Sequence, residues 1–107
     1  MNAAPMTLVE TPFFLRKAAA LLDDEERSEL LVFLGVNPEA VDVVPETGGV
    51  RKVRWAAKGH GKRGGARVIY FWWTSDDRIL LLDIYAKGEQ ENLGAAEIEN
   101  LRRKVIL

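Results

Sequence analysis

Gly48-Gly49-Val50-Arg51-Lys52-Val53-Arg54-Trp55, and after a basic loop Arg67-Val68-Ile69-Tyr70-Phe71-Trp72-Trp73-Thr74, decide how this chain folds. The first segment alternates, with Arg51, Val53 and Trp55 on one side and Val50, Lys52 and Arg54 on the other, as in a strand whose two faces meet different surroundings. The second is an almost continuous apolar and aromatic run, which suits a central strand covered on both faces. Between them Ala56 to Gly65 is rich in Gly and Lys, and glycine marks a loop. Ser75-Asp76-Asp77 then turns the chain into Arg78 to Lys87, the third strand of a meander. Strict alternation there puts Leu80, Leu82, Ile84 and Ala86 on one face, and Asp83, Tyr85 and Lys87 on the other with Ile79 and Leu81.

Working outward, Met6 to Glu10 is short and followed by a breaker, and reads as a further strand. Thr11-Pro12 opens a helix, because Thr can cap the free amides and Pro lacks the N–H that has no partner at the first helical position. Phe14, Ala18, Leu21 and Leu22 share one face of it. Asp23 with Glu26 forms a capping box for a second helix, whose apolar side is Leu30, Leu31, Phe33 and Leu34 and which Gly35 can close. On the far side, Gly94 and Glu97 mark a last helix, with Ile98, Leu101 and Val105 at helical spacing and Arg102, Arg103 and Lys104 near its C-terminus. The expectation is one α+β domain over residues 1–107: a small twisted antiparallel sheet, an N-terminal helical hairpin and a C-terminal helix.

At 107 residues the chain can bury a single core without staples. It has no cysteine and one histidine, His60, so disulfides and thiolate metal sites are excluded and a dedicated metal site is not expected. The N-terminal residues lack the pattern of a signal peptide, and no apolar run approaches a membrane span, so the expectation is a cytoplasmic protein that needs no membrane.

The charge is segregated. From Val50 to Thr74 the chain carries seven Lys or Arg (Arg51, Lys52, Arg54, Lys58, Lys62, Arg63 and Arg67) and no Asp or Glu. The net charge is −6 before this stretch, +7 within it and −2 after it, within an overall −1. A neutral protein of this kind can present a concentrated positive surface, suited to phosphates or to acidic protein. One exposed Lys is a solvated charge; seven without an acid, bounded by glycines and set on strands that hold Lys52, Arg54 and Arg67 in place, make a candidate site. Tyr85 and Lys87 join it if the third strand lies beside the others.

No Ser/His/Asp set, carboxylate pair or Cys/His cluster is present, and Gly61 to Gly65 leads into a strand where a phosphate-binding loop must open a helix. Cleavage of an RNA phosphodiester without a metal or other cofactor fits what remains. There the ribose 2′-OH is the nucleophile, and the protein need only take its proton, stabilise the negative phosphorane and assist the leaving oxygen. Arg and Lys serve the second task. A Lys or Tyr among cations serves the others.

These residues resemble a known pattern. Pro38-Glu39-Ala40, Pro45 to Gly49, Gly49 to Trp55, Gly61 to Tyr70 and Tyr85-Ala86-Lys87-Gly88-Glu89, in that order and spacing, are similar to the RelE/HigB group of bacterial type II toxins, over roughly residues 6 to 107. The resemblance implies a ribosome-dependent mRNA endoribonuclease that cuts message in the A site, and a cognate antitoxin, often of helix-turn-helix type. By the same resemblance Lys52 and Arg54 match the basic pair on the first meander strand, and Arg67 the Arg that begins the next. Lys87 falls at or beside the basic residue after the last strand. Arg51, Lys58, Lys62 and Arg63 would bind RNA more than act on it. The family's catalytic Tyr near the start of the last helix has no match, since Gly94 stands in that neighbourhood and no Tyr follows Tyr85. The proton work would then fall to Tyr85, Tyr70 or a Lys. A noncatalytic, decayed toxin that receives an acidic antitoxin segment shares the basic surface, while a gyrase inhibitor of the ParE type on the same scaffold does not need the stacked basic set and would act without the ribosome.

Overall fold

The structure is a computed structural model that describes residues 6–56, 65–89, 99–100 and 103. Strand β1 (Thr7–Glu10) leads into helices α1 (Pro12–Leu21) and α2 (Asp24–Val36), followed by β2 (Val50–Trp55), β3 (Ala66–Trp73) and β4 (Arg78–Ala86). The sheet order is β1-β4-β3-β2. The meander β2-β3-β4 is antiparallel as read from the sequence, while β1 joins the edge of β4 in parallel. The reason lies in the chain path, since two helices intervene between β1 and the meander and can return the chain to either end of the sheet.

Both helix starts follow their sequence signals. Thr11 Oγ1 accepts from the Phe14 N–H and donates to Leu81 O, so one hydroxyl caps α1 and ties it to β4. Asp23 and Glu26 form the reciprocal capping box. Helix α2 runs one residue beyond Gly35 and ends at an Asn37 cap. Gly35 therefore lies inside the helix, with Leu8 Cδ1 3.5 Å from where a Cβ would stand.

The helices cover one face of the sheet. Phe14, Ala18, Leu21, Leu30 and Leu34 pack there with Val53, Val68, Tyr70, Ile79, Leu81 and Ile84, each large side chain contributing about 1.5–3 kcal/mol by its burial. The opposite face carries a smaller cluster of Val50, Ile69, Leu80, Leu82 and Tyr85.

This division departs from strict alternation in β4. A register shift between Ile69 and Tyr70 pairs Ile69 with Asp83 but Tyr70 with Leu81, so Leu82 is an extra residue. A bulge of this kind reverses which side chains share a face. Leu80 and Leu82 consequently lie with Tyr85, while Ile79 and Leu81 lie with Ile84 and Ala86.

The strand bearing Lys52 and Arg54 is braced at its start. Thr47 is fully buried, donating from Oγ1 to Val44 O at 2.6 Å and accepting from the Val50 N–H at 3.0 Å. The C-terminal helix expected from Gly94 onward lies outside the described residues, except that Glu99, Asn100 and Arg103 are helical. No helix among the described residues is long and apolar enough to cross a membrane.

Candidate nucleic-acid interface

On the face away from the helices, the sheet register assembles the basic residues into rows. Arg54 pairs with Arg67, and Arg67 with Tyr85, so these three stand side by side across β2, β3 and β4. The adjoining row is Lys52, Ile69 and Asp83. Direct cross-strand neighbours have Cβ atoms about 4.5–5.5 Å apart, and like charges in that relation are destabilising. The two arginines repel one another, and the Arg67 guanidinium also donates to Ala66 O at 3.5 Å.

The side chains differ in access. Lys52 and Arg54 are exposed, Arg67 is half-buried, and Lys87 is exposed just beyond the end of β4. No described carboxylate pairs with Lys52, Arg54 or Lys87. Tyr85 is only 3% exposed, with its ring in the apolar cluster. It underlies the row rather than standing open in a groove.

Gly65 fixes how the two ends of the row meet. Its φ is +70°, and a Cβ there would lie 2.3 Å from Trp55 O. Only glycine allows β3 to start this close to the end of β2. Its carbonyl also accepts from the Lys87 N–H at 3.1 Å, which places Lys87 beside the β2–β3 junction.

Arg51 is turned the other way. It lies on the helix-side face and donates from its guanidinium to Val41 O, pinning the segment before β2. Its alternation with Lys52, visible in the sequence, already separates it from the row, and the geometry gives it a structural bond. Tyr70 is on that side too, fully buried, with its hydroxyl donating to Pro38 O at 3.0 Å. Burial raises its pKa above the ordinary value of 10.0, and the nearby Arg51 opposes that rise in part. Lys58, Lys62 and Arg63 lie outside the described residues, as do His60 and Gly94.

Lys17 joins this face without any signal in its sequence surroundings. From α1 its Nζ reaches Asp83 Oδ1 at 2.7 Å and lies 5.9 Å from the centre of the Tyr85 ring. Its partner is 66 positions away in the chain. A Lys at the edge of a helix gives no signal of that contact.

Two open depressions of about 400 and 410 Å³ line α2 and the turn after it, at Val36 to Ala40 and around Glu25, Ser28, Glu29, Val32 and Phe33. Neither contains a member of the row. A polymer phosphate lying across a sheet needs anchored charges more than an enclosed cavity, so the row rather than either depression is the candidate site.

No family model matches the sequence. Among solved structures the chain is similar to the E. coli toxin RelE, in a mutant with two arginines replaced by alanine and in the free state. The superposition gives a TM-score of 0.62 at 18% identity, covering 97% of this chain and 100% of that one. The fold is RelE-like. The RelE-like scaffold accounts for a small mixed sheet with its helical hairpin on one face, and leaves the opposite face to the basic row.

Proposed function

We propose that this chain is the toxin of a type II toxin–antitoxin module, acting in the cytoplasm as an mRNA endoribonuclease on the translating ribosome. The observation that carries the reading is the cross-strand row Arg54-Arg67-Tyr85 with Lys52 beside it. Opposed guanidinium groups on a rigid sheet are a ready seat for a phosphodiester, and the scaffold is one that RelE also uses.

In this proposal Arg54 and Arg67 hold the scissile phosphate and stabilise the charge that grows on its oxygens as the 2′-OH attacks. The strand pairing fixes where both arginines leave the sheet, so part of the reorganisation is made before that charge appears. Lys52 and Lys87 are the exposed amines flanking the row; in this proposal one, in its neutral amine form, takes the 2′-hydroxyl proton, and the other, as an ammonium, gives a proton to the leaving 5′-oxygen. Tyr85 forms the floor that keeps Arg67 in line, a role that its burial favours over proton transfer. An antitoxin, of helix-turn-helix type in this proposal, would hold the toxin inactive until released.

The test is direct. Added to a translating extract, the purified protein should yield message cut at ribosome positions, and naked message should survive at the same concentration. Intact message under both conditions would favour the noncatalytic module, in which the row receives an acidic segment of the antitoxin. Arrest of DNA gyrase without any cut message would favour the ParE-like activity.

A further inference from the structure

Asp83 is the only Asp or Glu in β2, β3 and β4, and it is buried at 2% exposure in the row next to Arg54-Arg67-Tyr85. A negative charge at that place works against binding of an anion. A buried carboxylate also needs a partner to remain ionised. Both needs are met from outside the sheet, because Lys17 of α1 places its Nζ 2.7 Å from Asp83 Oδ1. The same oxygen accepts from the Ile84 N–H at 2.7 Å.

The ammonium is well confined. It lies 5.2 Å from the centre of the Phe13 ring, one helical turn earlier on α1, and 5.9 Å from the centre of the Tyr85 ring. The Lys17 side chain keeps 26% of its surface exposed, so it sits at the boundary between the core and the face that bears the row.

From this we infer that Lys17 is a positioning residue of the candidate site, one that cancels the charge of Asp83 beneath the row and holds Tyr85 in place, so that the face presented to RNA stays positive. The inference rests on the reading of that face as an RNA site. It differs from a simple structural tie in the sign of its consequences. If Lys17 and Asp83 only brace α1 against β4, losing either should weaken the fold and the site alike. If they balance charge, the two losses act in opposite directions on an anionic ligand.

The experiment measures binding of a short single-stranded RNA made of 2′-O-methyl nucleotides, which cannot be cleaved by 2′-OH attack, with thermal melts to normalise for folded protein. Lys17→Met should weaken binding at low salt by about threefold or more, because the pair then carries a net negative charge. Asp83→Asn keeps an oxygen for the Ile84 N–H and should strengthen binding by a similar factor. The double variant restores neutrality and should bind like the wild type, as should Lys17→Arg.

Should Lys17→Met fail to fold, the Asp83→Asn arm decides alone: tighter binding supports the inference, and unchanged or weaker binding overturns it. Both single variants shifting in the same direction, or a double variant weaker than Lys17→Met, would also overturn it. A wild-type protein that does not bind the RNA at all would instead defeat the reading of the face on which the inference stands.

Discussion

Arg51 and Tyr70 on one face of the sheet, and Arg54, Arg67 and Tyr85 on the other, are the same kinds of side chain on the adjoining strands β2, β3 and β4, put to opposite uses. On the helix-side face the polar atoms end on backbone carbonyls of the loop before β2, with Arg51 bonded to Val41 O and Tyr70 to Pro38 O. Those bonds fasten the loop, and the loop in turn fixes the start of the strand. On the other face, exposed cations stand in rows with no described carboxylate paired to Lys52 or Arg54. Like charges side by side repel and gain when an anion arrives, which is why the second face is the one proposed to bind. The alternation of a strand, one residue in and the next out, sends Arg51 to the loop and Lys52 to the open face.

The largest expected effect removes a charge from the second face. Arg67→Ala should cost about 2.7–4 kcal/mol of activation free energy, a hundredfold or more in cleavage rate, as loss of a preorganised charge does elsewhere. The fold should survive, because the pairing of β3 with β2 and β4 is made by the backbone and not by this side chain. Single-turnover cleavage of message on ribosomes and a thermal melt measure the two sides. Full activity in a folded Arg67→Ala protein would mean that the contrast between the faces has nothing to do with catalysis.

Next comes a substitution that should damage both faces together. Gly65→Ala would force a Cβ to within 2.3 Å of Trp55 O from a backbone at φ +70°. The left-handed conformation alone costs a non-glycine residue about 1–3 kcal/mol. Relief requires β3 to move away from β2, which carries Lys87 with it through the bond from its N–H to Gly65 O. Stability and cleavage should therefore fall in parallel, where Arg67→Ala separates them. A Gly65→Ala protein with normal stability and normal rate would show that the two strand ends need not be held this close.

Much of this contrast was legible in the sequence. The capping residues Thr11 and Asp23, the buried positions Phe14, Ala18, Leu30 and Leu34, and the alternation of β2 all follow from local chemistry acting on adjacent residues. The bulge in β4 was not legible, because the extra residue Leu82 is as apolar as its neighbours and only pairing with β3 reveals it. The parallel placement of β1 was hidden for a similar reason, since four residues of strand carry no record of which edge they join. At the site, the row of Arg54, Arg67 and Tyr85 could be anticipated as a set, but not its register. The contact of Lys17 with Asp83 could not be anticipated at all, because it joins residues 66 positions apart. The burial of Tyr85 lay between these cases, since alternation keeps it on the face of Asp83 while the bulge parts it from Ile79 and Leu81, and its depth is a matter of packing.

A smaller effect tests the structural face. Tyr70→Phe deletes the hydroxyl that donates to Pro38 O and should cost about 0.5–1.5 kcal/mol of stability, with cleavage by the folded protein unchanged. The raised pKa of Tyr70 adds a pH signature. In the unfolded chain the phenol ionises near its ordinary value of 10.0, while in the folded protein it keeps its proton to higher pH. The stabilisation from keeping it neutral is thus fully present below about pH 10 and is lost as pH rises toward the folded pKa. Denaturant melts from pH 8 to 11 (about the accessible range) should show the wild type losing stability faster than Tyr70→Phe at the alkaline end. Identical slopes would mean that the hydroxyl is wetter than its burial suggests.

The smallest expected effect is at Tyr85, and it asks whether the second face uses its tyrosine as the first face uses Tyr70, for packing. Tyr85→Phe keeps the ring that lies in the cluster with Ile69, Leu80 and Leu82 and removes one oxygen. With only 3% of the residue exposed, the phenol has little access to a ribose hydroxyl, and Lys52 and Lys87 stand in solvent at the margins of the row. The single-turnover rate should accordingly stay within about threefold of the wild type, since loss of a true general acid or base costs about 10²-fold or more. Lys52→Met and Lys87→Met, measured beside it, should each fall by that larger factor. If Tyr85→Phe slows cleavage a hundredfold while both lysine variants remain active, the buried phenol moves protons and the ring must shift to expose it during the reaction.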